Sequence, residues 1–303
     1  MQTSNMNSVK LSTFPKLKWL MIQAPFKRDL KQSPPVLPHS ELWIENVTLD
    51  NDALARFHQV VNWQVKTSVL HPCFIHTIAF PLHLKLLLAP GFPFPLLGLV
   101  HIENTISQFR QINQSETLKL VCRLGELELH KKGWLFSVIT ECFSGAELVW
   151  QSNSLNLFRA KHNLPTKSVN KSEDHLGPLI SSSEWSLPED LGRRYAKASG
   201  DFNPIHLRKW SAKLLGFKQQ IAHGMWTKSK CVSEIQKIDP ELLLNNFKVN
   251  CRFKKPLYLP REVVMSIQSA NDKQLASKYL FKVETQSPED ETIPHLTGCI
   301  IAL

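Results

Sequence analysis

The hydrophobic and polar positions of this chain indicate the same order of elements in its two halves. Each half is predicted to hold a short helix, then a long helix that follows a histidine, and then several strands. The long helices are predicted over the leucine-rich run 71–88 and over 223–237. The other predicted helices are 16–24, 52–63, 208–215 and one that Ser186 caps and that ends near Ser199; the predicted strands are 41–47, 100–109, 117–129, 134–143, 148–158, 247–253, 262–270, 276–285 and 296–302.

Short sequence similarities between the halves support an internal repeat. Residues 69–72 (VLHP) are similar to 221–224 (IAHG), and residues 106–110 (ISQFR) are similar to 250–254 (NCRFK), at nearly the same offset. We therefore predict the α+β class, with two copies of a unit in which an antiparallel sheet wraps around one long helix. Two unrelated α+β pieces are the alternative.

Changes in composition divide the chain into four segments. Residues 1–37 are basic and contain a Pro-Pro pair near their end, so we predict an N-terminal segment with a surface helix in preference to a transit peptide. Residues 38–160 are predicted to form the first repeat, 161–183 a polar linker, and 184–303 the second repeat.

The composition is that of a soluble globular protein, with 43% hydrophobic and 20% charged residues. The most apolar stretch, 69–102, is interrupted by prolines and histidines, so no transmembrane helix is predicted. The six cysteines form no CxxC pair and have no zinc-ligand spacing, which predicts free thiols in a reducing compartment, taken as the cytoplasm. The sequence contains no metal-binding or dinucleotide-binding motif, so no cofactor is predicted.

The formal net charge of +10 predicts an acidic ligand or partner, such as a phosphate, a nucleotide carrier or nucleic acid. The sequence contains no nucleic-acid-binding motif and no aromatic-rich basic repeat, so nucleic acid is not the predicted partner. Between Asp201 and Glu234 there is no acidic residue. The basic residues in and after that stretch are Arg208, Lys209, Lys213, Lys218, Lys228, Lys230, Lys254, Lys255 and Arg261. A solvated helix face is the alternative interpretation of this basic cluster.

One predicted loop combines the groups needed for acid–base chemistry. Residues 199–204 (SGDFNP) are dense in turn formers, so a helix is predicted to end there. Asp201 and His206 lie five residues apart on this loop, which Pro204 restricts, and both can reach one water molecule. For each residue taken alone, the alternatives are a helix cap and a structural histidine.

A second feature is the tripeptide His223-Gly224-Met225 at the predicted start of a long helix. Free N–H groups and the positive end of the helix dipole suit the oxyanion that forms from a thioester carbonyl. Gly224 would let a ligand approach the backbone closely. Close packing is the alternative reason for this glycine.

The stretch from Tyr195 to Met225 resembles the MaoC-like dehydratases, also called hydratase 2 or R-specific enoyl-CoA hydratases. Their signature runs Tyr-x-x-x-Ser-Gly-Asp-x-Asn-Pro-x-His, then Ala, Gly-Phe and Ile-Ala-His-Gly-Met, and every position is matched here. The resemblance covers about 186–303 and extends more loosely to 253–256. It implies a double hot-dog fold in which 38–160 is a degenerate repeat.

The resemblance also implies a reaction in fatty-acid metabolism, the reversible hydration of a trans-2-enoyl thioester to the (R)-3-hydroxyacyl form. Asp201 and His206 would hold and activate the catalytic water. Asn203 would orient His206 or the loop, and Gly224 would donate its backbone N–H to the thioester oxygen. The predicted substrate-binding residues are Ser199, Gly200, His223, Met225, Phe217, Lys218, Lys254 and Lys255.

The first half departs from this signature. It has no Ser-Gly-Asp-x-Asn-Pro-x-His motif around 57–69, and Pro72 stands where Gly224 stands in the second half, without an N–H to donate. We therefore predict one active site per chain, in the second half. The run 84–99 is predicted to pack in the core, with the lining of an acyl tunnel as the alternative.

Two other functions are considered. A hot-dog thioesterase would hydrolyse the thioester, and a non-catalytic acyl-carrier-binding module would bind it without turnover. The intact Asp201 and His206, with Asn203-Pro204 between them, favour the hydro-lyase over both. The predicted partners are acyl-CoA or acyl carrier protein, and a homodimer is also considered.

Overall fold

The computed structural model describes residues 7–27, 30, 34–64, 68–161, 176–243, 246–270, 278–286 and 292–303. Its helices are α1 (Leu17–Gln23), α2 (Asn51–Val61), α3 (Phe74–Leu87), α4 (Leu191–Ser199), α5 (Lys209–Leu214) and α6 (Gly224–Ile238), with short 3-10 helices at Ala24–Phe26 and Pro204–His206. Its strands are β1 (Asn7–Lys10), β2 (Ser40–Val47), β3 (Leu99–Gln108), β4 (Leu118–His130), β5 (Gly133–Ser144), β6 (Glu147–Arg159), β7 (Leu176–Leu187), β8 (Phe247–Phe253), β9 (Arg261–Ala270), β10 (Lys278–Gln286) and β11 (Thr292–Ala302). The predicted elements occur in the predicted order; residues 276–277 of one predicted strand lie outside the described residues.

The strands of the described chain form one sheet, in the order β1-β2-β4-β5-β6-β3-β8-β11-β10-β9-β7. The first repeat contributes β2-β4-β5-β6-β3, and the second contributes β8-β11-β10-β9-β7, which is the same order read from the other end. The two repeats meet where β3 pairs with β8 in antiparallel register. The predicted α+β double hot-dog architecture is therefore confirmed, with α3 and α6 as its central helices.

The two central helices differ in what they bury. In α3 the apolar side chains of Ile75, Leu82 and Leu86 are almost fully buried, as its leucine-rich sequence predicts. Three polar residues of α3 are also buried, and α6 buries a larger share of polar residues: Thr227, Lys228, Ser229 and Ser233. The hydroxyls of Ser229 and Ser233 donate to carbonyls one turn earlier, at 2.6 and 3.1 Å, so they need no partner outside the helix.

Lys228 on α6 lies in the core and not on the surface, which corrects its assignment to the basic cluster. Its side chain is fully buried, and Nζ donates to Asn104 O (2.9 Å), Asn104 Oδ1 (2.6 Å) and Val249 O (3.2 Å). These three acceptors satisfy the ammonium, because a buried cation requires full hydrogen bonding. The bonds join α6 to β3 of the first repeat and to β8 of the second. Lys228 therefore links the two repeats where β3 pairs with β8.

Replacing Lys228 with alanine should lower the free energy of unfolding by about 3 kcal/mol, because three buried acceptors lose their donor and a cavity remains. Urea unfolding followed by circular dichroism measures this change. Lys213→Ala on exposed α5 is the matched control. Its free energy of unfolding should lie within about 0.5 kcal/mol of the wild-type value. Equal unfolding midpoints for the two variants would contradict the structural role of Lys228.

The N-terminal segment is part of the folded unit. Strand β1 pairs in parallel with β2, and Leu11 N donates to Trp43 O at 2.8 Å. The predicted helix 16–24 is present as α1, and it packs on α3. Residues 7–27 therefore extend the first repeat, whereas the sequence had indicated a separate basic segment.

Two local predictions in the middle of the chain are wrong. Ser186 does not cap a helix, because β7 continues to Leu187 by pairing with β9; the residue at the N-cap position of α4 is Asp190. Residues 176–183 of the predicted linker also belong to β7, and 162–175 lie outside the described residues. In both cases strand pairing at the sheet edge overrides a polar sequence typical of a turn.

The prediction of free cysteines is confirmed. All six cysteines are free, and five of them are buried. Within the described residues, none of the helices combines the length and the apolar character needed to cross a membrane.

Candidate active site

The loop after α4 is fixed by short-range hydrogen bonds. The helix ends at Gly200, which adopts a left-handed conformation with φ of 78°. The Ser199 hydroxyl donates to Tyr195 O at 2.9 Å and accepts the Asp201 N–H at 3.2 Å. A Cβ on Gly200 would also lie 2.5 Å from Leu17 Cδ2 of the N-terminal segment, so glycine serves both the turn and the close packing. These contacts fix the backbone on the N-terminal side of Asp201.

Asn203 holds both halves of the predicted catalytic pair. Its N–H donates to Asp201 Oδ1 at 3.1 Å, which orients the carboxylate. Its side-chain Oδ1 accepts the Ile205 N–H at 3.3 Å and so caps the 3-10 helix that carries His206. The backbone of Asn203 is extended (φ −55°, ψ 125°), as the following proline requires.

The tautomer of His206 follows from its backbone contact. Nδ1 lies 2.8 Å from Ile221 O, and a carbonyl oxygen can only accept, so Nδ1 carries the proton. In the neutral ring, Nε2 therefore has a free lone pair. That nitrogen can accept a hydrogen bond from water or substrate.

His223 supports this arrangement from beneath. Its ring stacks on the His206 ring with centroids 3.6 Å apart, and Nε2 donates to the Asp201 carbonyl at 2.9 Å. Nδ1 of His223 is buried and has no partner among the described residues. A carboxylate oxygen of Asp201 and ring nitrogens of the two histidines all lie within 4.8 Å of one another. Because the His223 Nε2 proton points to the loop backbone, this nitrogen positions the loop and offers no lone pair to a metal ion.

Burial changes the proton affinity of both members of the pair. It raises the pKa of the Asp201 carboxyl, while the charge of His206 and the Asn203 N–H oppose the rise. It lowers the pKa of His206, against the opposing influence of Asp201 and Ile221 O. The Asp201 side chain is 29% exposed, and that surface faces the pocket. The two shifts bring the proton affinities of the carboxyl and the imidazole closer together, which eases proton transfer through a shared water molecule.

Gly224 is the first residue of α6, so its N–H has no acceptor within the helix. A Cβ at this position would meet the Phe253 ring at 2.8 Å, which leaves room only for glycine. The structure therefore supports both readings of Gly224 from the sequence, since close packing and a free amide occur together.

A cavity of about 370 Å³ lies beside the loop. Its wall in the second repeat includes Tyr195, Ser199, Asp201, Asn203 and Met225. The first repeat and the N-terminal segment supply the rest, with apolar residues from α1, α3 and the run 96–99. Within 84–99, the residues that line the cavity are Leu84, Leu87, Leu96, Leu97 and Leu99, whereas Leu86, Phe92 and Phe94 pack in the core. The run therefore packs partly in the core and partly lines the cavity, and the binding of an acyl chain there stays a prediction.

The chain is similar to known proteins in sequence and in fold. Residues 171–291 match the family model of the MaoC like domain. The chain is 28% identical over 228 residues to 3-hydroxyacyl-thioester dehydratase X of Mycobacterium tuberculosis, covering 74% of this chain and 78% of that protein. The chain has a double hot-dog fold, and its second half carries a MaoC like domain.

Solved structures show the same fold. The crystal structure of HtdX from Mycobacterium tuberculosis superposes with a TM-score of 0.70 at 24% identity, covering 87% of this chain and all of that one. A second protein of that organism, described as having a double hot-dog fold, superposes with a TM-score of 0.57 at 12% identity, covering 85% of this chain and 93% of that one.

Several predicted site residues are not part of the cavity wall. Gly200 and His206 belong to the loop that carries Asp201, and His223 and Gly224 lie at the start of α6, next to Met225 of the wall. Phe217 and Lys218 follow α5, and Lys254 and Lys255 follow β8; the three lysines are exposed. Their contact with substrate stays a prediction. In the first repeat, aromatic rings fill the counterpart of the site: His71 lies 5.3 Å from Phe57 and 4.6 Å from Trp63, ring to ring.

Sequence reasoning missed part of the wall. The missed residues are Met21, Ile22, Ala24 and Pro25 of the N-terminal segment and His76, Thr77, Phe80, His83, His101, Ser154 and Asn156 of the first repeat. The only available signal was the group of histidines inside an apolar stretch, which had been noted as interruptions of a hydrophobic run.

Proposed function

We propose that this protein is a hydro-lyase of fatty-acid metabolism that interconverts 3-hydroxyacyl and 2-enoyl thioesters. The observation that carries this proposal is the close approach of Asp201 and His206, held by Asn203 and His223, with Asp201 in the wall of a largely apolar cavity. The similar protein from Mycobacterium tuberculosis is named as a 3-hydroxyacyl-thioester dehydratase, which is the same reaction class.

In the hydration direction, one water molecule lies between the Asp201 carboxylate and the Nε2 lone pair of His206. Asp201 takes a proton from this water, and the hydroxide adds to C3 of the enoyl thioester. The proton held by Asp201 then passes to C2, so the enzyme returns to its starting state. The reaction draws only on water and side chains, and the sequence prediction that no cofactor takes part stays a prediction.

Negative charge moves onto the thioester oxygen as the hydroxide adds. The N–H of Gly224 at the start of α6 would stabilise this charge, helped by the helix dipole. The same N–H polarises the carbonyl in the ground state and makes C3 electrophilic. His223, which precedes Gly224, links this helix start to the loop through its bond to Asp201 O.

The thiol carrier is coenzyme A or an acyl carrier protein, and both are acidic. Helix α5 presents exposed basic residues, and Ser211 Oγ donates to Pro204 O at 2.7 Å, which ties α5 to the catalytic loop. The exposed basic residues on and beside α5 are Arg208, Lys209, Lys213 and Lys218. We assign the carrier to this face because opposite charge near the pocket favours its encounter. The cytoplasmic location and the homodimer stay predictions.

The test is a paired assay on one acyl group presented as enoyl-CoA and as enoyl-carrier protein. Loss of the enoyl absorbance and release of free thiol are followed together. Hydration without thiol release is the expected result. Thiol release would favour the thioesterase alternative, and tight binding with neither product would favour a non-catalytic carrier-binding module.

Reversing two charges on α5, as Lys209→Glu with Lys213→Glu, should raise KM about tenfold for the true carrier and leave kcat nearly unchanged. The effect should shrink at high salt, because exposed charges are screened. Lys131→Glu, an exposed lysine in the β4–β5 turn, is the matched control. An unchanged KM for both thioesters would contradict the assignment of the carrier to this face.

A further inference from the structure

Four tryptophan or phenylalanine side chains are well exposed among the described residues. Trp19 and Phe26 lie on the N-terminal segment, Phe202 on the catalytic loop and Trp210 on α5, with 62, 76, 43 and 65% of each residue exposed. Ile22, between the first two, is also exposed. Single exposed apolar side chains are common, whereas a group of large ones marks a contact surface. Trp19, Ile22 and Phe26 form such a group.

These three residues form a line along the outer side of the N-terminal segment, which we call the aromatic stripe. They belong to α1 and to the 3-10 helix that follows it. Side chains three and four residues apart fall on one side of a helix. The other side faces the protein, because Ala24 is buried and Leu17 packs beside the end of α4. Packing of that side therefore leaves Trp19, Ile22 and Phe26 in solvent.

Positive charge accompanies the aromatic stripe. Lys16 immediately precedes α1, Lys18 lies in its first turn, and both are exposed. Residues 1–28 contain no aspartate or glutamate. Lys10 is paired with Glu45 of β2 and is not counted here. Exposed tryptophan and phenylalanine beside lysine are typical of helices that lie in the surface of a membrane, where the rings enter the lipid and the ammonium groups meet the phosphates.

The aromatic stripe borders the cavity. Ile22 lines the cavity although it is 58% exposed, so it lies at the opening. Pro25, which is also exposed, and Phe202 of the catalytic loop belong to the same wall. An apolar surface thus continues from the outside of the protein into the cavity.

We propose that the aromatic stripe is a peripheral contact for an anionic lipid bilayer. Trp19, Ile22 and Phe26 enter the region between the headgroups and the acyl chains, and Lys16 and Lys18 lie against the phosphates. The opening of the cavity then lies at the lipid surface. This contact goes beyond the proposed function and does not depend on which reaction the site performs.

Two other occupants fit the aromatic stripe less well. In a symmetric dimer through the stripe, Lys16 and Lys18 of the two copies would approach each other, and like charges oppose association. A stable protein interface needs about 800 Å² on each partner, which three side chains cannot supply. A fluid bilayer requires no surface of matched shape. An acidic carrier protein has the more strongly basic face of α5 as its assigned contact.

Co-sedimentation of the full chain with vesicles tests the contact. Vesicles of phosphatidylglycerol and phosphatidylcholine in equal parts should bind the protein, and phosphatidylcholine alone should bind it at least about tenfold more weakly. Trp19→Ser with Phe26→Ser should lower the partition coefficient for the anionic vesicles at least about tenfold, because the inserted apolar area is lost. Lys16→Gln with Lys18→Gln should lower it about thirtyfold at low salt and much less at high salt.

Matched controls carry the same kinds of change elsewhere. Leu179→Ser with Ile180→Ser removes two exposed apolar side chains from β7, which lies at the opposite edge of the sheet from β1. Lys131→Gln with Lys132→Gln removes two exposed charges from the β4–β5 turn and lowers the net charge by the same amount. Both controls should bind anionic vesicles as the wild type does. Circular dichroism should show all four double variants folded, since the altered side chains are exposed.

Tryptophan fluorescence locates the contact within the protein. Brominated phosphatidylcholine in the anionic vesicles quenches a tryptophan that reaches the acyl chains. Trp19→Phe should abolish the quenching and leave vesicle binding nearly unchanged, because phenylalanine keeps the apolar ring. Trp210→Phe on α5 should keep the quenching. The reverse result would place the contact on α5 and overturn the proposal.

Absence of binding to the anionic vesicles would also overturn it, and two measurements then identify the occupant. A dimer that Trp19→Ser with Phe26→Ser converts to monomer in sedimentation velocity would assign the aromatic stripe to a second copy of this chain. A higher KM of the same variant for the carrier-protein thioester alone would assign the stripe to the carrier. The vesicle assay requires no turnover, so its result stands apart from that of the hydration assay.

Discussion

Replacing Asp201 with asparagine should lower kcat for hydration of a 2-enoyl thioester by on the order of a hundredfold or more, the usual effect of losing a positioned acid–base group. Asparagine keeps the size of the side chain and can still accept the Asn203 N–H, so the loop should remain folded. It cannot take a proton from water. Initial rates at saturating substrate, measured by loss of the enoyl absorbance, give the result directly.

The control for this substitution is Asp52→Asn, which alters an exposed carboxylate in the first turn of α2. Its kcat should equal that of the wild type. The kcat of His206→Ala should be lowered by a factor similar to that for Asp201→Asn, because the same water molecule loses its second hydrogen-bond partner. In the double variant the loss in kcat should be smaller than the product of the two single losses, because the effects of residues that act as a unit are not additive in free energy. A folded Asp201→Asn variant with the wild-type kcat would show that the Asp201 carboxylate takes no part in the chemistry.

The pH profile provides a second test of the same group. Hydration requires Asp201 in its ionised form, so activity should be lost as the pH falls through the pKa of this carboxyl. Because burial raises that pKa, the acid limb of kcat/KM should lie above the ordinary range for an aspartate. In Asp201→Asn the residual activity should lack this limb. A limb at the ordinary aspartate value would show that the folded site does not raise the pKa.

The catalytic loop could be predicted from the sequence because its geometry is local. Gly200 ends the helix, and Asn203 reaches Asp201 and Ile205, each two residues away. Such short-range bonds are encoded by the order of turn-forming residues. The sequence therefore predicted that Asp201 and His206 lie close together, as the structure confirms, while their catalytic roles stay proposals.

The features that the sequence did not predict depend on contacts between residues that lie far apart in the chain. Lys228 is charged and lies in a basic run, so the sequence suggested a surface position; its burial depends on Asn104 and Val249, which arrive from separate strands. In the same way, nothing near Leu17 indicates that it packs on Gly200. At Ser186 the local sequence is typical of a helix N-cap and predicted one. The residue lies instead in β7, because β7 pairs with β9 up to Leu187.

The division of labour between the repeats follows from these differences. The second repeat keeps the loop and the helix start that carry the chemistry. In the first repeat, Pro72 has no N–H to donate and its carbonyl accepts the Trp150 Nε1–H at 2.8 Å, so this helix start serves packing. In the first repeat, α3 instead contributes several residues to the cavity wall, among them His76, Phe80 and Leu84. The cavity wall is thus shared between the two halves of one chain.

Replacing Gly224 with alanine should lower kcat by about a hundredfold, because a displacement near 1 Å at a reacting group has an effect of this size. The new Cβ would lie 2.8 Å from Phe253 Cδ1 and 2.9 Å from Cε1, so either the helix start or the ring must move. A moved helix start takes the Gly224 N–H away from the thioester oxygen. Steady-state kinetics should show a loss in kcat larger than any rise in KM.

A compensating substitution separates this effect from simple unfolding. Combining Gly224→Ala with Phe253→Leu relieves the clash and should restore part of kcat, since the amide itself is still present in alanine. Gly91→Ala is the matched control, because its Cβ would meet the nearest atom, Pro38 Cβ, at an ordinary 3.6 Å. If Gly224→Ala alone retains full kcat, the helix start has no part in stabilising the oxyanion, and the thioester oxygen must be bound by another donor of the site.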